Sequence, residues 1–344
     1  MSPKKIIGLS LILLSMIGTY LFAPWLLIKL WLSPLPDSPQ AQIEDILDYK
    51  VDGVILYIDQ AGKAPEAYAA GWNNRTNEVA ANPQSLFKVA SISKLFIATA
   101  ATKLIQAEKL DLDAPLSSLL PFTKGHISNA DAITLKMLIQ HRSGIPNFLD
   151  QPDYPWTDLF TENLPALELV YDLPADFEPD EKYQYSNTNY LLLGAILDST
   201  LGYSHHQYIK EEILDPLGLK HTYSLLNEVN QDSLMSGYHI GYEPDIKSSN
   251  YVHPGGSMIS TARDIAVFLR ALNEGSFLNP EEQALYESLY RLEHTGLLPG
   301  YSSIARYGAD LDAVIVLFIN TSGGLSWSIT EATYRRVVKI LRKG

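Results

Sequence analysis

Short apolar segments of strand length lie near both ends of the chain. Near the start, residues 53–59 (GVILYID) and 67–72 form two such segments around a turn that contains glycine and proline. Near the end, residues 302–309 and 313–320 (AVIVLFIN) show the same pattern. The folded part is therefore predicted to begin with a hairpin and to close with two further strands and a helix.

The apolar positions between these ends recur at helical spacing. Residues 91–110 are rich in alanine and leucine and contain no glycine or proline, which predicts one long, largely buried helix. A helix is also expected after Thr261, because Thr261 and Asp264 have the spacing of a capping pair. The other predicted helices cover residues 132–140, 166–171, 188–200, 208–214 and 328–341.

This order of elements predicts a mixed α/β fold of the α+β kind. Strands from both chain ends would form one antiparallel sheet flanked by helices. An all-helical lobe, over about 111–250, would be inserted between them. Clefts are common at such lobe boundaries, so we expect the functional site there.

The first 32 residues are predicted to be a membrane anchor. The uncharged run at 6–28 has 23 residues, enough at about 1.5 Å per residue to cross a hydrocarbon layer of roughly 30 Å. Basic residues precede the run and acidic residues follow it, so residues 1–32 would be a cytoplasmic stub and transmembrane helix, with a periplasmic or other extracytoplasmic body. Residues 33–42 would be a linker, and 43–344 the folded domain. A cleaved signal peptide is the alternative, but no small-x-small site follows the run.

The charge balance and the missing motifs exclude several functions. The formal charge is −13, and beyond residue 31 there are 23 basic against 39 acidic residues, which would repel nucleic acid. No cysteine is present, so disulfides, thiol catalysis and thiolate metal sites are excluded. The adjacent His205 and His206 are expected at the surface, and no HExxH, P-loop, dinucleotide or G-x-S-x-G motif occurs. No metal or cofactor is expected.

A Ser-x-x-Lys pair at the start of a helix can activate a serine. The hydroxyl and the amine lie on one face, where the amine can take the serine proton. Only one of three such pairs lies where helical periodicity begins, so that free N–H groups and the helix dipole can stabilise an oxyanion. The alternative is an N-cap serine followed by a solvated lysine. The pairs are Ser2/Lys5, Ser85/Lys88 and, at the helix start, Ser91/Lys94.

Two further clusters give this pair a context. The tripeptide YSN at 185–187 precedes a predicted helix, and HTG at 294–296 precedes a predicted strand. With FKVASISKLF, YSN…TNYLLLG and EHTGLLPGYSS in this order, the chain resembles the serine beta-lactamase and penicillin-binding-protein-like superfamily. It is most similar to the class C-like branch of D,D-peptidases, esterases and D-aminopeptidases. Supporting stretches are LIQHRSGIPNF, PLGLKHT and PGGSMISTARDIAVFL, so the resemblance covers nearly all of residues 43–344.

The resemblance implies a role for each matching residue of the first two motifs. Ser91 would be the nucleophile and Lys94 its proton acceptor, which requires a mostly desolvated amine because the ordinary lysine pKa is about 10.4. Tyr185 would relay the proton between the serine and the leaving group. Asn187 would hold Lys94 and donate a hydrogen bond to the acyl side chain of the substrate.

The third motif would complete the substrate site. The oxyanion hole would use the backbone N–H groups of Ser91 and Leu297, and Gly296 would leave room for the approaching acyl group. His294 and Thr295 would bind the substrate. His294 replaces the lysine of most beta-lactamases and would carry only a fractional positive charge at pH 7. Leu297 replaces a serine or threonine, so carboxylate recognition would be weaker.

The resulting hypothesis is an anchored serine hydrolase that acts through an acyl-enzyme on esters or on D-amino-acid-containing peptides and amides. Weak carboxylate recognition favours esters and other amides over beta-lactams and D-Ala-D-Ala peptides, although Arg291 is near enough in sequence to compensate. Two alternatives stay open. One is a non-catalytic or single-turnover wall-binding or sensor protein, and the other is a transacylase. The sequence leaves the oligomeric state open.

Overall fold

The computed structural model describes residues 3–343. The strands are β1 (Gly53–Gln60), β2 (Glu66–Asn74), β3 (Val79–Ala80), β4 (Phe87–Lys88), β5 (Tyr238–His239), β6 (Ile259–Ser260), β7 (His294–Leu298), β8 (Tyr301–Gly308), β9 (Ala313–Ile319) and β10 (Thr321–Ser322). The α-helices are α1 (Pro3–Phe22), α2 (Trp25–Leu32), α3 (Pro39–Asp45), α4 (Ser93–Gln106), α5 (Leu116–Leu119), α6 (Leu135–Ile139), α7 (Leu164–Glu168), α8 (Asn187–Leu201), α9 (His205–Ile209), α10 (Ala262–Asn273), α11 (Pro280–Leu289) and α12 (Ser326–Leu341).

Six strands form one antiparallel sheet in the order β3-β2-β1-β9-β8-β7. β1, from the start of the domain, lies beside β9, from its end, with Val54 opposite Ile319. This confirms the prediction of a sheet made from both chain ends. Because β1 and β9 are covered on both faces, their sequences are nearly continuous apolar runs. β7 is an edge strand, and the candidate site lies at this edge.

Alternate side chains of β1 enter two hydrophobic cores, one on each face of the sheet. Leu56 belongs to the core formed with α2, α3 and α12. Ile55 belongs to the larger core formed with α4, α8 and α10, in which the rings of Phe96 and Phe268 stack 3.9 Å apart. The helix after Thr261 is confirmed, and the Thr261 hydroxyl accepts a hydrogen bond from the backbone N–H of Asp264. Phe268 lies in this helix, α10, which packs on β1 and β9, so α10 links α4 to the sheet.

The inserted lobe contains less helix than the pattern predicts. α8 is long, as expected, but α5, α6 and α7 have only four or five residues each, and most of the chain after α9 is loop. Left-handed residues interrupt the chain at Asn129, His141, Asp172 and Asp180. The prediction of an all-helical lobe over 111–250 is therefore wrong, because short apolar runs at helical spacing also occur in buried irregular segments.

The prediction that His205 lies at the surface is also wrong. Its side chain is buried at the start of α9, and Nδ1 lies 2.7 Å from Asp198 Oδ1 near the end of α8. This hydrogen bond joins two consecutive helices. The prediction considered only the neighbouring His206, so it missed the partner Asp198.

The apolar run at the N-terminus forms two helices instead of one. The segments Leu13–Phe22 and Trp25–Leu32 are bent by 78° relative to each other. Pro24 lies at the break, where it lacks the N–H that a continuous helix would need. Within the described part of the chain no single helix is long and apolar enough to cross a bilayer, and the bent pair meets that criterion by length and composition alone. The predicted spanning helix over 6–28 is thus interrupted.

The segment expected to be a linker lies against the domain. Ser38 caps α3 by accepting a hydrogen bond from the backbone N–H of Ala41. Arg336 of α12 donates to the carbonyl oxygens of Ser33 and Pro34. Residues 33–42 are therefore attached to the body of the protein, and packing against it begins near Leu27 rather than at residue 43.

Candidate active site

Ser91 lies in a one-turn 3-10 helix, Ala90–Ile92, immediately before α4. Ala90 has a φ of 53°, a left-handed conformation that is costly for residues other than glycine. Ser93 stabilises the turn, because its hydroxyl donates to the carbonyl oxygen of Ala90 at 2.6 Å and accepts from the N–H of Met258 at 3.2 Å. The helix start predicted near Ser91 is confirmed, and the serine lies on a strained turn.

The side chains of Lys94 and Tyr185 both reach Ser91. Lys94 Nζ lies 3.2 Å from Ser91 Oγ, and the hydroxyl oxygen of Tyr185 lies 2.8 Å from it. Lys94 Nζ also lies 2.9 Å from Asn187 Oδ1 and 2.7 Å from the carbonyl oxygen of Gly255. The first two sequence motifs therefore meet in one hydrogen-bonded cluster.

Lys94 is fully buried, and desolvation lowers its pKa from 10.5 to about 7. A neutral amine has two N–H groups and one lone pair. Asn187 Oδ1 and the carbonyl oxygen of Gly255 can only accept hydrogen bonds, so they occupy both N–H groups. The lone pair then remains for the hydroxyl proton of Ser91, which is what a general base requires.

Tyr185 has the opposite protonation behaviour. Burial raises the pKa of its phenol well above the usual value of 10, and the hydrogen bond to Ser91 lowers it by a smaller amount. The hydroxyl therefore stays protonated at neutral pH and donates to Ser91 Oγ. Of the two groups that contact Ser91, Lys94 has the pKa of a base that works near neutral pH.

The third motif forms the edge strand β7 beside the Ser91 turn. His294 is buried, and its Nδ1 lies against the carbonyl oxygen of Thr295, which can only accept, so Nδ1 carries the proton. Nε2 accepts from the hydroxyl of Tyr290 at 2.9 Å. Burial, with repulsion from Lys94 as the second cause, lowers the pKa of His294 to about 3. His294 is therefore a neutral imidazole at pH 7, without the partial positive charge expected from its ordinary pKa.

Gly296 is required by the packing of β7 against the Ser91 turn. A Cβ atom at this position would lie 2.3 Å from the carbonyl oxygen of Val89 and 2.9 Å from the Cβ of Ala90. Ser303 of β8 also donates to the carbonyl oxygen of Val89 at 3.0 Å. The glycine therefore lets the sheet edge approach the turn, and its expected role of leaving room for an acyl group stays a prediction.

A cavity of about 390 Å³ opens in front of Ser91, a volume usual for small-molecule sites. Tyr185, Asn187, His294 and Thr295 also line it. Arg291 is the one charged residue among its described lining residues, and it donates to the hydroxyl of Tyr183 at 2.9 Å. The side chain of Leu297 is 53% exposed and adds an apolar wall. The cavity is thus largely uncharged, with a single cation at one side.

Asn147 and His141 support the second motif, and the motif pattern assigned neither a role. Asn147 Oδ1 accepts from the backbone N–H of Asn187 at 2.9 Å and from its Nδ2 at 3.2 Å, which directs Asn187 Oδ1 toward Lys94. His141 is buried against Tyr185, with ring centroids 4.5 Å apart. Both residues lie in the stretch LIQHRSGIPNF. Polar residues inside an otherwise apolar segment were the only sequence feature that could have indicated their role.

Gly255 is a further position that the motifs did not reveal. Its carbonyl oxygen accepts from Lys94, and a Cβ atom there would lie 2.9 Å from Lys94 Nζ and 2.9 Å from the Cβ of Tyr190. The neighbouring Gly256 has open space where a Cβ would be. Gly255 therefore provides a hydrogen-bond acceptor for Lys94, and its lack of a side chain leaves room for the amine.

Replacing Gly255 by alanine should lower the rate of Ser91 acylation by about 10-fold to 100-fold, because the methyl group displaces the Lys94 amine. Gly256→Ala is the matched control and should cause a much smaller loss. Stopped-flow measurement with a chromogenic ester compares the two rates, and circular dichroism melting checks the fold. Equal rates in the two folded variants would show that the position of the amine is not set by Gly255.

The family model described as Beta-lactamase matches residues 39–292, well over half of the chain. The chain belongs to the beta-lactamase family. The superfamily resemblance predicted from the sequence is thereby confirmed.

Several known proteins are similar to this chain over most of its length. The beta-lactamase-family chain is 26% identical over 276 residues to Protein flp of Staphylococcus aureus (strain MW2), covering 76% of this chain and 53% of that protein. It thus spans about half the length of the curated relatives it matches. The structure of D-amino acid amidase from Ochrobactrum anthropi SV3 complexed with L-phenylalanine amide has a TM-score of 0.79 at 24% identity, covering 90% and 99% of the two chains. EstCE1, a hydrolase with promiscuous acyltransferase activity, has a TM-score of 0.71 at 21% identity, covering 91% and 98%. Both structural likenesses show the fold.

Proposed function

We propose that the protein is a membrane-anchored serine hydrolase that acts through an acyl-enzyme on esters or on D-amino-acid-containing amides and peptides. The observation that carries this proposal is the contact between Ser91 Oγ and Lys94 Nζ, at 3.2 Å. The amine is buried, its pKa is lowered to about 7, and two acceptors orient it. This arrangement supports a nucleophile paired with its base.

Acylation begins when Ser91 Oγ bonds to the carbonyl carbon of the substrate and its proton passes to Lys94 Nζ. The carbonyl oxygen becomes an oxyanion, for which we assign the backbone N–H groups of Ser91 and Leu297 as donors. When the intermediate collapses, the bond to the leaving group breaks, and the proton returns from Lys94 through the Tyr185 hydroxyl to the leaving oxygen or nitrogen. Water then attacks the acyl-enzyme by the reverse proton route and releases Ser91.

Neutral substrates suit this cavity better than carboxylates. The neutral His294 offers no positive charge, and Leu297 offers no hydroxyl. Arg291 lines the cavity and is the cation that can still attract a substrate group with partial negative charge. The similarity to a D-amino acid amidase supports an amide of a D-amino acid as one substrate. The acyltransferase activity named for EstCE1 supports transfer to an alcohol or amine as a second activity.

The anchoring part of the proposal rests on α1. Its exposed side chains are mostly apolar, basic residues lie in its first turn, and acidic residues follow α2. This distribution supports a cytoplasmic N-terminus and an extracytoplasmic catalytic domain. Exposed apolar residues of α1 include Leu11, Leu13, Leu14, Met16 and Leu21.

Mass spectrometry of a trapped acyl-enzyme tests the proposed function. The full chain in detergent is treated with a fluorophosphonate or a slowly hydrolysed ester and then denatured and digested with trypsin. We expect the added mass on peptide 89–94 (VASISK), with fragmentation placing it on Ser91 and not on Ser93. A label on another peptide would contradict the assigned nucleophile. One equivalent of product without further turnover would instead favour a sensor.

The rate of acylation should rise with pH and level off above about pH 7. The base must be neutral to accept a proton, and the pKa of Lys94 is lowered to about 7, so its active form is lost as pH falls below that value. His294 adds no second step in this range, because its pKa lies at about 3. Measuring kcat/KM for a neutral ester between pH 5.5 and 9 checks this. A rate that falls as pH rises through 7 would mean that Lys94 works as an ammonium.

A further inference from the structure

A second cavity, of about 530 Å³, adjoins the cavity in front of Ser91. The mechanism proposed above assigns no role to it. Four residues line both cavities and form their common boundary: Trp156, Tyr251, Leu297 and Leu298. The two cavities therefore form one groove that runs from Ser91 past the end of β7.

The second cavity is lined by uncharged residues. Its twelve described lining residues include no Asp, Glu, Lys or Arg. Large apolar side chains are exposed along it, since Trp156 is 48% exposed and Tyr242 is 46% exposed. Exposed apolar surface in a concave site favours binding of an apolar group. A charged group would lose its hydration there without gaining a partner of opposite charge.

His239 supplies one oriented polar contact in this cavity. Ser322 Oγ accepts from the N–H of Gly300 at 2.7 Å, so its own proton is free for His239 Nδ1, 2.9 Å away. With Nδ1 accepting from Ser322, the ring N–H lies at Nε2, which has no hydrogen-bond partner among residues 3–343. The ring packs on Gly323, where a Cβ atom would lie 3.0 Å from Nε2. The cavity therefore combines apolar walls with an N–H donor from His239.

The position of Tyr185 decides which arm of a substrate reaches this cavity. In the proposed mechanism Tyr185 returns the proton to the leaving group. Its ring lies 6.3 Å from the ring of His294, at the start of β7. The second cavity lies at the other end of this strand, beside Leu298. The leaving group thus occupies the Tyr185 side, and the acyl group extends toward the second cavity.

We propose that the second cavity is an acyl-binding subsite. It accepts an uncharged, apolar acyl arm, aliphatic or aromatic, of the ester or amide that acylates Ser91, and His239 donates to a hydrogen-bond acceptor carried by that arm. The inference rests on the proposed function and deepens it by naming the substrate class. Each methylene that enters the cavity should raise kcat/KM by about twofold to fourfold until the cavity is full.

A series of nitrophenyl esters tests the subsite. The leaving group stays constant, and the acyl chain is lengthened from acetyl to decanoyl, below the concentrations at which the esters aggregate. With the full chain in one fixed detergent, we expect kcat/KM for the octanoyl ester to exceed that for the acetyl ester by more than about tenfold.

Tyr242→Glu, which adds a carboxylate at a half-exposed position, should lower the octanoyl-to-acetyl ratio about tenfold. Tyr242→Gln is the uncharged control and should lower it less. An acyl arm that ends in an ammonium group should gain from Tyr242→Glu.

Each possible failure has a distinct meaning. A flat chain-length profile, or a ratio that Tyr242→Glu leaves unchanged while Ser91 is still acylated, would overturn the subsite. In a second series the alcohol arm of the ester is lengthened instead of the acyl arm. If Tyr242→Glu changed the chain-length dependence of kcat/KM in that series only, the assignment of the cavity to the acyl group would be overturned. The absence of any Ser91-dependent acylation would instead overturn the proposed function.

Discussion

Replacing Ser91 by alanine should reduce kcat by roughly 10⁴-fold to 10⁶-fold and abolish acyl-enzyme formation. The expected loss is this large because removal of the nucleophile eliminates the covalent pathway, and no second hydroxyl takes its place. The Tyr185 hydroxyl, 2.8 Å from Ser91 Oγ, stays protonated because burial raises its pKa, and Ser93 uses its hydroxyl in hydrogen bonds to Ala90 and Met258. Steady-state turnover of an ester and intact-mass detection of the acyl-enzyme provide two separate measurements.

Ser85→Ala is the matched control for this variant. Ser85 belongs to the second Ser-x-x-Lys pair and is buried, but its hydroxyl does not contact Lys94. The control should be acylated at the wild-type rate. It also shows how much folding stability is lost when a buried serine is replaced by alanine. If Ser91→Ala and Ser85→Ala were acylated equally, Ser91 would be removed from the mechanism.

Replacing Lys94 by methionine should lower the rate of acylation by roughly 10³-fold while the fold is kept. Methionine has nearly the same length as lysine and suits a buried site, but it cannot accept the serine proton. The variant leaves Asn187 Oδ1 and the carbonyl oxygen of Gly255 without their donor, so some loss of stability is expected as well, as for Lys88→Met below. The pH dependence near 7 should disappear together with the rate. Stopped-flow acylation and a thermal melting curve separate loss of the base from unfolding.

Lys88→Met is the matched control, because Lys88 closely resembles Lys94 in its surroundings. Lys88 is also buried, its pKa is also lowered to about 7 by desolvation, and its Nζ donates to the carbonyl oxygens of Lys247 and Ser249, at 2.6 Å each. It differs from Lys94 by lacking contact with Ser91. This variant should lose stability through the unpaired carbonyl groups and keep most of its acylation rate. Equal loss of acylation in the two folded variants would contradict the assignment of Lys94 as the base.

The predictable parts of the fold are those in which local sequence and tertiary packing demand the same structure. β1 and β9 are buried on both faces, so their strands appear as unbroken apolar runs. α4 has the same advantage, because eleven of its residues are buried and no glycine or proline interrupts them. The spacing of Ser91 and Lys94 likewise predicts that both side chains lie on one face at the helix start, and they are 3.2 Å apart.

The lobe over about 111–250 was predicted less well, because its conformation depends on distant contacts. Gly144 illustrates this, since a Cβ atom there would lie 2.1 Å from the carbonyl oxygen of Phe177, more than 30 positions away. Left-handed residues such as His141 and Asp180 interrupt apolar spacing that would otherwise continue a helix. At the N-terminus, Pro24 was visible in the sequence, but the attachment of α2 through Arg336 was not.

The sequence by itself determined the two-ended antiparallel sheet, the helix that begins near Ser91 and the order of the three motifs, because these depend on residue spacing along the chain. Tertiary structure alone decided the protonation of the site. Burial lowers the pKa of Lys94 and of His294, and residues far apart in sequence supply that burial. It also decided that Gly255 and Asn147 orient the amine and that a second, uncharged cavity adjoins the cavity in front of Ser91. The physical reason is that hydration, hydrogen-bond direction and cavity shape depend on distances in space.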